Sequence, residues 1–309
     1  MKKRAPKAAV CEQQAHSGRC LCDSDLAVER RAADPSCTGI SEEKRRRGAV
    51  TVHEIRVVTD EAAAAIGKPR GTYITLFHAP AWELWGEAKE EVARALSREM
   101  LRLAAVFYPS VPPHRLTVLF VGLGNRNLTA DAIGPRAAAQ VTATLHLRTT
   151  EPALFERLRC AGVAVCAPGV TAETGVEAAD TVLDLSRRIR PDLVVAVDAL
   201  AARSTERLAT TIQLCDTGVA PGSGLGMKHI ALTRETLGAP VIAVGVPTVV
   251  RSRTLVADAL TEAGRGALCD PILAHMGQSD FFVSPKDIDT TADTLSSIIA
   301  MAFERLFGP

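Results

Sequence analysis

The sequence predicts an α/β fold: a mostly parallel twisted sheet flanked by helices on both faces, with a small antiparallel pair of strands at its N-terminal end. Three observations predict it. From Leu116 onward, short apolar runs alternate with helical stretches, the pattern of strands buried on both faces. The helical stretches carry apolar residues on one stripe only, as helices that cover a sheet do. The 309 residues are 47% hydrophobic and 23% charged, a globular balance for a chain long enough to bury a large core.

The elements follow in order. Residues 1 to about 48 have no sustained period, end in Glu42-Glu43-Lys44-Arg45-Arg46-Arg47-Gly48, and read as a mobile leader. Thr51 to Val58 alternates in strand fashion, and Thr72 to Phe77 follows after a Gly-Lys-Pro-Arg-Gly turn, giving the antiparallel pair. Glu87 to Phe107 places Val92, Leu96, Leu103 and Phe107 at helical spacing, and Pro109, Pro112 and Pro113 stop it. Leu116 to Val121, Val163 to Ala167, Leu193 to Val197 and Val241 to Val244 read as the parallel strands. Asp180 to Ile189 is an intervening helix, and Leu295, Ile298, Ile299, Ala302 and Leu306 mark the last one. No repeat of 20 to 50 residues is visible.

Composition narrows the function. Lys and Arg number 36 against 35 Asp and Glu, so no strong field gathers nucleic acid or anionic lipid. No apolar run approaches the ~20 residues that cross a bilayer, and the N-terminus lacks the apolar centre of a secretory signal. The expected location is cytoplasmic. Cys11, Cys20, Cys22 and Cys37 crowd the leader, while Cys160, Cys166, Cys215 and Cys269 are scattered. They make neither a disulfide framework nor, with His16, a spaced zinc set.

Two aspartates stand out by position. Asp131 lies just beyond the strand that ends at Val121-Gly122-Leu123-Gly124, and Asp198 closes the run Leu193 to Val197. In an open parallel sheet the crevice beyond the strand ends binds ligands, and two carboxylates delivered there face each other. Such a pair shares one proton, so one member serves as base and the other as acid, which suits peptide hydrolysis by activated water. Aspartates at strand ends also cap helices and loops, and the pattern alone leaves both readings open.

The glycine-rich segments carry weaker signals. Gly122-Leu123-Gly124 invites a dinucleotide reading, but Asn127 stands where the third glycine belongs, and close strand-to-helix packing is the simpler role. Gly222 and Gly224, in Pro221-Gly222-Ser223-Gly224-Leu225-Gly226, could admit a substrate backbone closely, or form a surface turn. Asp216-Thr217-Gly218 matches a pepsin-like triplet but lacks a second copy. Arg203, Lys228 and His229 are candidate partners for acidic substrate side chains.

Longer blocks carry a family resemblance. They include Asp25 to Glu29, Ala65 to Lys68, Gly71 to Leu76, Val121 to Pro135, Ala167 to Val170, Pro191 to Arg207, Gln213 to Gly226, Glu235 to Val249 and Phe282 to Asp289. On these residues the chain resembles the spore germination proteases, aspartic-type endopeptidases with an α/β, hydrolase-like fold similar to hydrogenase maturation proteases. The resemblance implies that Asp131 and Asp198 are the catalytic pair, without metal or cofactor. It also implies a zymogen that cuts itself at Asp25–Leu26, releasing a propeptide of residues 1–25 from a single peptidase domain of residues 26–309. The implied substrates are small acid-soluble spore proteins, degraded at germination in the developing spore compartment, and the implied assembly is a homo-oligomer such as a tetramer. The alternative is a nickel- or zinc-dependent maturation-type protease on the same fold, for which His146 and His229 are available as a third ligand. The leader and the Ala79 to Gly86 stretch, with Trp82 and Trp85, depart from the family pattern and bear on how the zymogen is restrained.

Overall fold

One sheet runs through the molecule in the order β1-β2-β3-β7-β8-β6-β4-β5, with β9 added on β8. The computed structural model describes residues 24–220, 230–276 and 281–309. The strands are β1 (Ile40–Arg47), β2 (Val50–Val57), β3 (Gly71–Phe77), β4 (Thr117–Gly122), β5 (Gly162–Cys166), β6 (Leu193–Ala202), β7 (Thr211–Cys215), β8 (Val241–Arg251) and β9 (Phe282–Val283).

The sheet is mixed rather than mostly parallel. β5, β4, β6 and β8 pair in parallel, whereas β7, β3, β2 and β1 extend it antiparallel, as does β9. Connection length is the reason. Only residues 203–210 separate β6 from β7, fewer than the dozen or so that a parallel crossover needs. β2 and β3 do form the antiparallel pair that alternation predicts, with Val52 opposite Leu76.

Residues 24–48 are not the mobile leader that the charge pattern implied. Residues 27–33 are a helix, and residues 40–47 are β1, joined to β2 through a turn at Gly48, whose φ of 65° suits glycine. The basic run belongs in a strand because its charges have partners. Arg45 and Arg47 bond to Glu99 at 2.5 and 3.2 Å, and Arg45 also meets Glu54 at 2.9 Å. Glu99 is fully buried, so these bonds replace the water that its carboxylate loses.

The helices Gly86–Phe107 and Ile288–Phe307 pack together on one face of the sheet. Val92, Leu96, Met100 and Leu103 point inward from the first, and Leu295, Ile298, Ile299, Ala302 and Phe303 from the second. Phe120 of β4 meets Phe303 edge-on at 4.8 Å. Burying each such ring contributes about 1.5–3 kcal/mol. On the opposite face, helix Ala178–Ile189 covers the parallel half. Helices Ala27–Ala33 and Asp60–Ile66 cover the antiparallel half. Among the described residues no helix is long and apolar enough to cross a membrane.

Candidate active site

β4 ends at Gly122, opposite Val197 of β6, so Asp198 is the first residue of β6 beyond that pairing. The strand does not stop there. It continues to Ala202 because β8 keeps pairing with it, Asp198 lying opposite Gly245. The crevice anticipated at the strand ends is therefore a step in the sheet, made where β4 and β5 stop and β6 and β8 run on.

The turn after β4 brings Asp131 back to this step. Gly124 has a φ of +109°, and a Cβ there would lie 2.1 Å from the Asp131 carbonyl oxygen, so glycine is required. The Asp131 carboxylate accepts a hydrogen bond from the Asn125 amide at 2.7 Å. Gly122 and Gly134 let strand and helix touch through their backbones, 2.2 Å from where a Cβ would stand. Strand-to-helix packing is the role expected of Gly122, whereas Gly124 serves the turn.

Asp198 is 7% exposed, and its Oδ1 accepts from the Ala199 amide at 3.0 Å. Burial pushes its carboxyl well above the usual range, and the charges of Asp131 and Asp25 push it further. Burial also raises Asp131, opposed by the bond from Asn125. A buried acid that holds its proton beside a second carboxylate is the arrangement of an acid and a base.

The chain's own residues 24–29 lie against this site. Asp25 donates its amide to the Ala201 carbonyl at 2.9 Å, and its Oδ2 accepts from the Ala201 amide at 2.9 Å. The register of β6 slips between Leu200 and Ala201, at the point where Ala201 exchanges both groups with Asp25. Gln213 Nε2 donates to the Asp25 carbonyl at 3.2 Å, and Gln213 Oε1 accepts from the Ala27 amide at 2.7 Å. Leu26 and Ala27 are fully buried. Glu29 accepts from the Arg203 and Ser204 amides at 2.8 and 2.9 Å and is bonded by the Ser24 hydroxyl. Beneath the segment, a cavity of about 200 Å³ is lined by Asp25, Lys68, Tyr73, Asp198, Gln213 and Cys215, among others. Burial lowers the Lys68 pKa, and the Asp25 charge partly offsets this.

Comparison with known proteins decides the family. The germination protease family model, Peptidase_A25, matches residues 21–265. A germination protease of Clostridium perfringens is 34% identical over 315 residues, covering 93% of this chain and 95% of the relative. That of Caldanaerobacter subterraneus is 32% identical over 312 residues, covering 93% and 94%. The Bacillus subtilis protein is 38% identical over 268 residues, covering 84% of this chain and 68% of its own length. The chain belongs to the germination protease family. Among solved structures, a NiFe hydrogenase maturation protease from Thermococcus kodakarensis aligns with a TM-score of 0.33 at 17% identity, over 61% of this chain and 92% of that one.

Against this family background, the structure brings Asp25, Leu26 and Asp198 to one place, with Asp131 near enough to raise Asp198. Arg203 meets the segment through its backbone. Its guanidinium bonds to Asp258 at 2.7 and 3.0 Å, while its amide holds Glu29. Gly222, Gly224, Lys228 and His229 lie outside the described residues, as do Cys11, His16, Cys20 and Cys22. Asp216 holds a turn by accepting from the Thr72 amide at 2.7 Å. Among the described residues no group of three or more His, Cys, Asp or Glu could hold a metal, and His146 precedes the short helix Leu147–Thr150. Sequence reasoning missed Lys68, Gln213 and the Ser204 amide that holds Glu29. The blocks Ala65 to Lys68 and Gln213 to Gly226 were the signals that could have flagged the first two.

Proposed function

We propose that this protein is an aspartic-type endopeptidase made as a zymogen, and that Asp25–Leu26 is the bond it cuts in itself. One observation carries the reading: the segment around Asp25–Leu26 is gripped on both sides of that bond and passes beside Asp198, a buried acid.

The chemistry follows from the two environments. Asp198 keeps its proton and donates it toward the Asp25 carbonyl oxygen, while ionised Asp131 takes a proton from a water that attacks the carbonyl carbon. The tetrahedral adduct then collapses. The C–N bond breaks, its electron pair stays on the Leu26 nitrogen, and a proton from the pair completes the new amine. Proteins carrying the same acidic–aliphatic–Ala–x–Glu pattern are read by the contacts that hold Asp25 and Glu29. The family membership supports small acid-soluble spore proteins as these substrates, met in the cytoplasm of the spore.

The test is intact mass over time at mildly acidic pH, for the natural sequence and for Asp198→Asn. Loss of residues 1–25 from the natural sequence alone is expected. Two uncut proteins at every pH, or two equally cut ones, would refute the reading.

A further inference from the structure

We propose that Gln213 is a further catalytic residue, whose side-chain amide clamps the scissile peptide and polarises the carbonyl that is attacked. This rests on reading Asp25–Leu26 as the cut bond. The amide orientation is fixed by chemistry. The Ala27 amide can only donate, so the Gln213 atom 2.7 Å away is the oxygen. The other end is then the NH₂ group, 3.2 Å from the Asp25 carbonyl oxygen, which can only accept.

The sheet holds this amide rigidly. Gln213 is 6% exposed in β7, between Thr75 of β3 and Gly245 of β8, and Gly245 in turn lies opposite Asp198 of β6. Thr75, Gln213, Gly245 and Asp198 thus form one row across four strands. Ile212 and Leu214 belong to the core under the two long helices, so Gln213 points to the other face, where helix Ala27–Ala33 docks. The donor is neutral, which matters here. A Lys or Arg in its place would draw the shared proton off the aspartate pair, whereas an amide lends a dipole to the developing oxyanion and leaves the pair's charge alone. Its second bond, to the Ala27 amide, stops the leaving side from rotating during attack.

The alternative is that Gln213 merely caps helix Ala27–Ala33, and two variants of the full chain separate the roles. Gln213→Met removes donor and acceptor. Gln213→Glu keeps the acceptor for Ala27 but donates only when protonated. Relative to the natural sequence at each pH, self-cleavage should fall about 100-fold in Gln213→Met throughout, the scale of losing one oxyanion donor. Gln213→Glu should be as slow near neutrality and recover in acid. Amide exchange of residues 27–33, read in an Asp198→Asn background so that nothing is cut, reports the docking. Slow cleavage with frayed docking and no acid recovery means a cap only and overturns the proposal. Cleavage within threefold of normal in both variants overturns it while leaving the endopeptidase reading intact. If the natural sequence does not cut itself at all, both fall together.

Discussion

Gln213 and Asp198 face each other across Gly245, the residue opposite both of them in the sheet. The glycine lets the Leu200 side chain lie flat on β8 between them. A Cβ on Gly245 would stand 2.4 Å from Leu200 Cδ1. Gly245→Ala is expected to displace Leu200, lower stability by about 1–3 kcal/mol and slow self-cleavage at least tenfold. Denaturant melts and intact mass check the two effects.

Asp198→Asn should abolish self-cleavage yet leave the protein more stable. The Asp198 pKa is raised on folding, so its contribution is most favourable when the group is protonated and is lost as pH climbs through the folded value. Asparagine mimics the protonated acid at every pH. The stability gap between variant and natural protein should therefore be small below the unfolded value of 3.8 and widen as pH rises, which thermal melts across pH will show.

Glu29→Ala leaves the Arg203 and Ser204 amides without their carboxylate. Charge-assisted bonds of this kind contribute about 1.5–3 kcal/mol together with their desolvation cost, so self-cleavage should slow about 10- to 100-fold. Glu29→Gln, which keeps one acceptor oxygen, should fall between. A time course of intact mass ranks the three.

Glu99→Ala takes a buried carboxylate from Arg45, Arg47 and Arg102 while Arg45 keeps Glu54, at a cost of about 1–3 kcal/mol. Burial pushes the Glu99 pKa up, but the bonds from Arg45 and Arg47 outweigh it and hold the carboxyl below the ordinary value of 4.5. Its stabilisation is present above that value and is lost as pH falls through the folded one. Acid melts of the natural protein should thus be steeper than those of Glu99→Gln.

His78 works against stability in milder acid. It is buried, its Nδ1 lies 2.7 Å from the Ala79 carbonyl, and burial drags its pKa from 6.5 to about 4. The unfolded chain takes up the proton first, so the contribution of His78 declines as pH drops from 6.5 toward 4, by up to about 3 kcal/mol, against the opposite contribution of Asp198. Relative to the natural protein, His78→Gln should gain melting temperature progressively as pH drops across that window.

The elements with periodic burial were legible in the sequence. Val92, Leu96 and Leu103 announce their helix, and Leu193 to Val197 announces a strand. β1 was not, because its burial is ionic: Arg45 reads as solvated until Glu99, 54 residues away, is beside it. The end of β6 was missed because β8 prolongs it, and pairing partners leave no mark on a single strand. The placement of Asp131 and Asp198 beside the end of β4 was legible from where their apolar runs stop. Gln213 was not, since its partners Asp25 and Ala27 are 188 and 186 residues distant and no spacing rule connects them.

Burial of Leu26 and Ala27 would set a mass-action problem for an enzyme cut at the proposed bond. A cut between residues 25 and 26 frees the leader but leaves these two side chains, and the helix behind them, tethered to the body and seated in the site. A short tether keeps a ligand at an effective concentration of about a millimolar. Any outside substrate competes with that retained product, so cutting alone does not open the site. On the proposed reading, turnover on other proteins would begin only when residues 26–33 swing away, and the rate of that release would set how quickly a cut molecule becomes an enzyme.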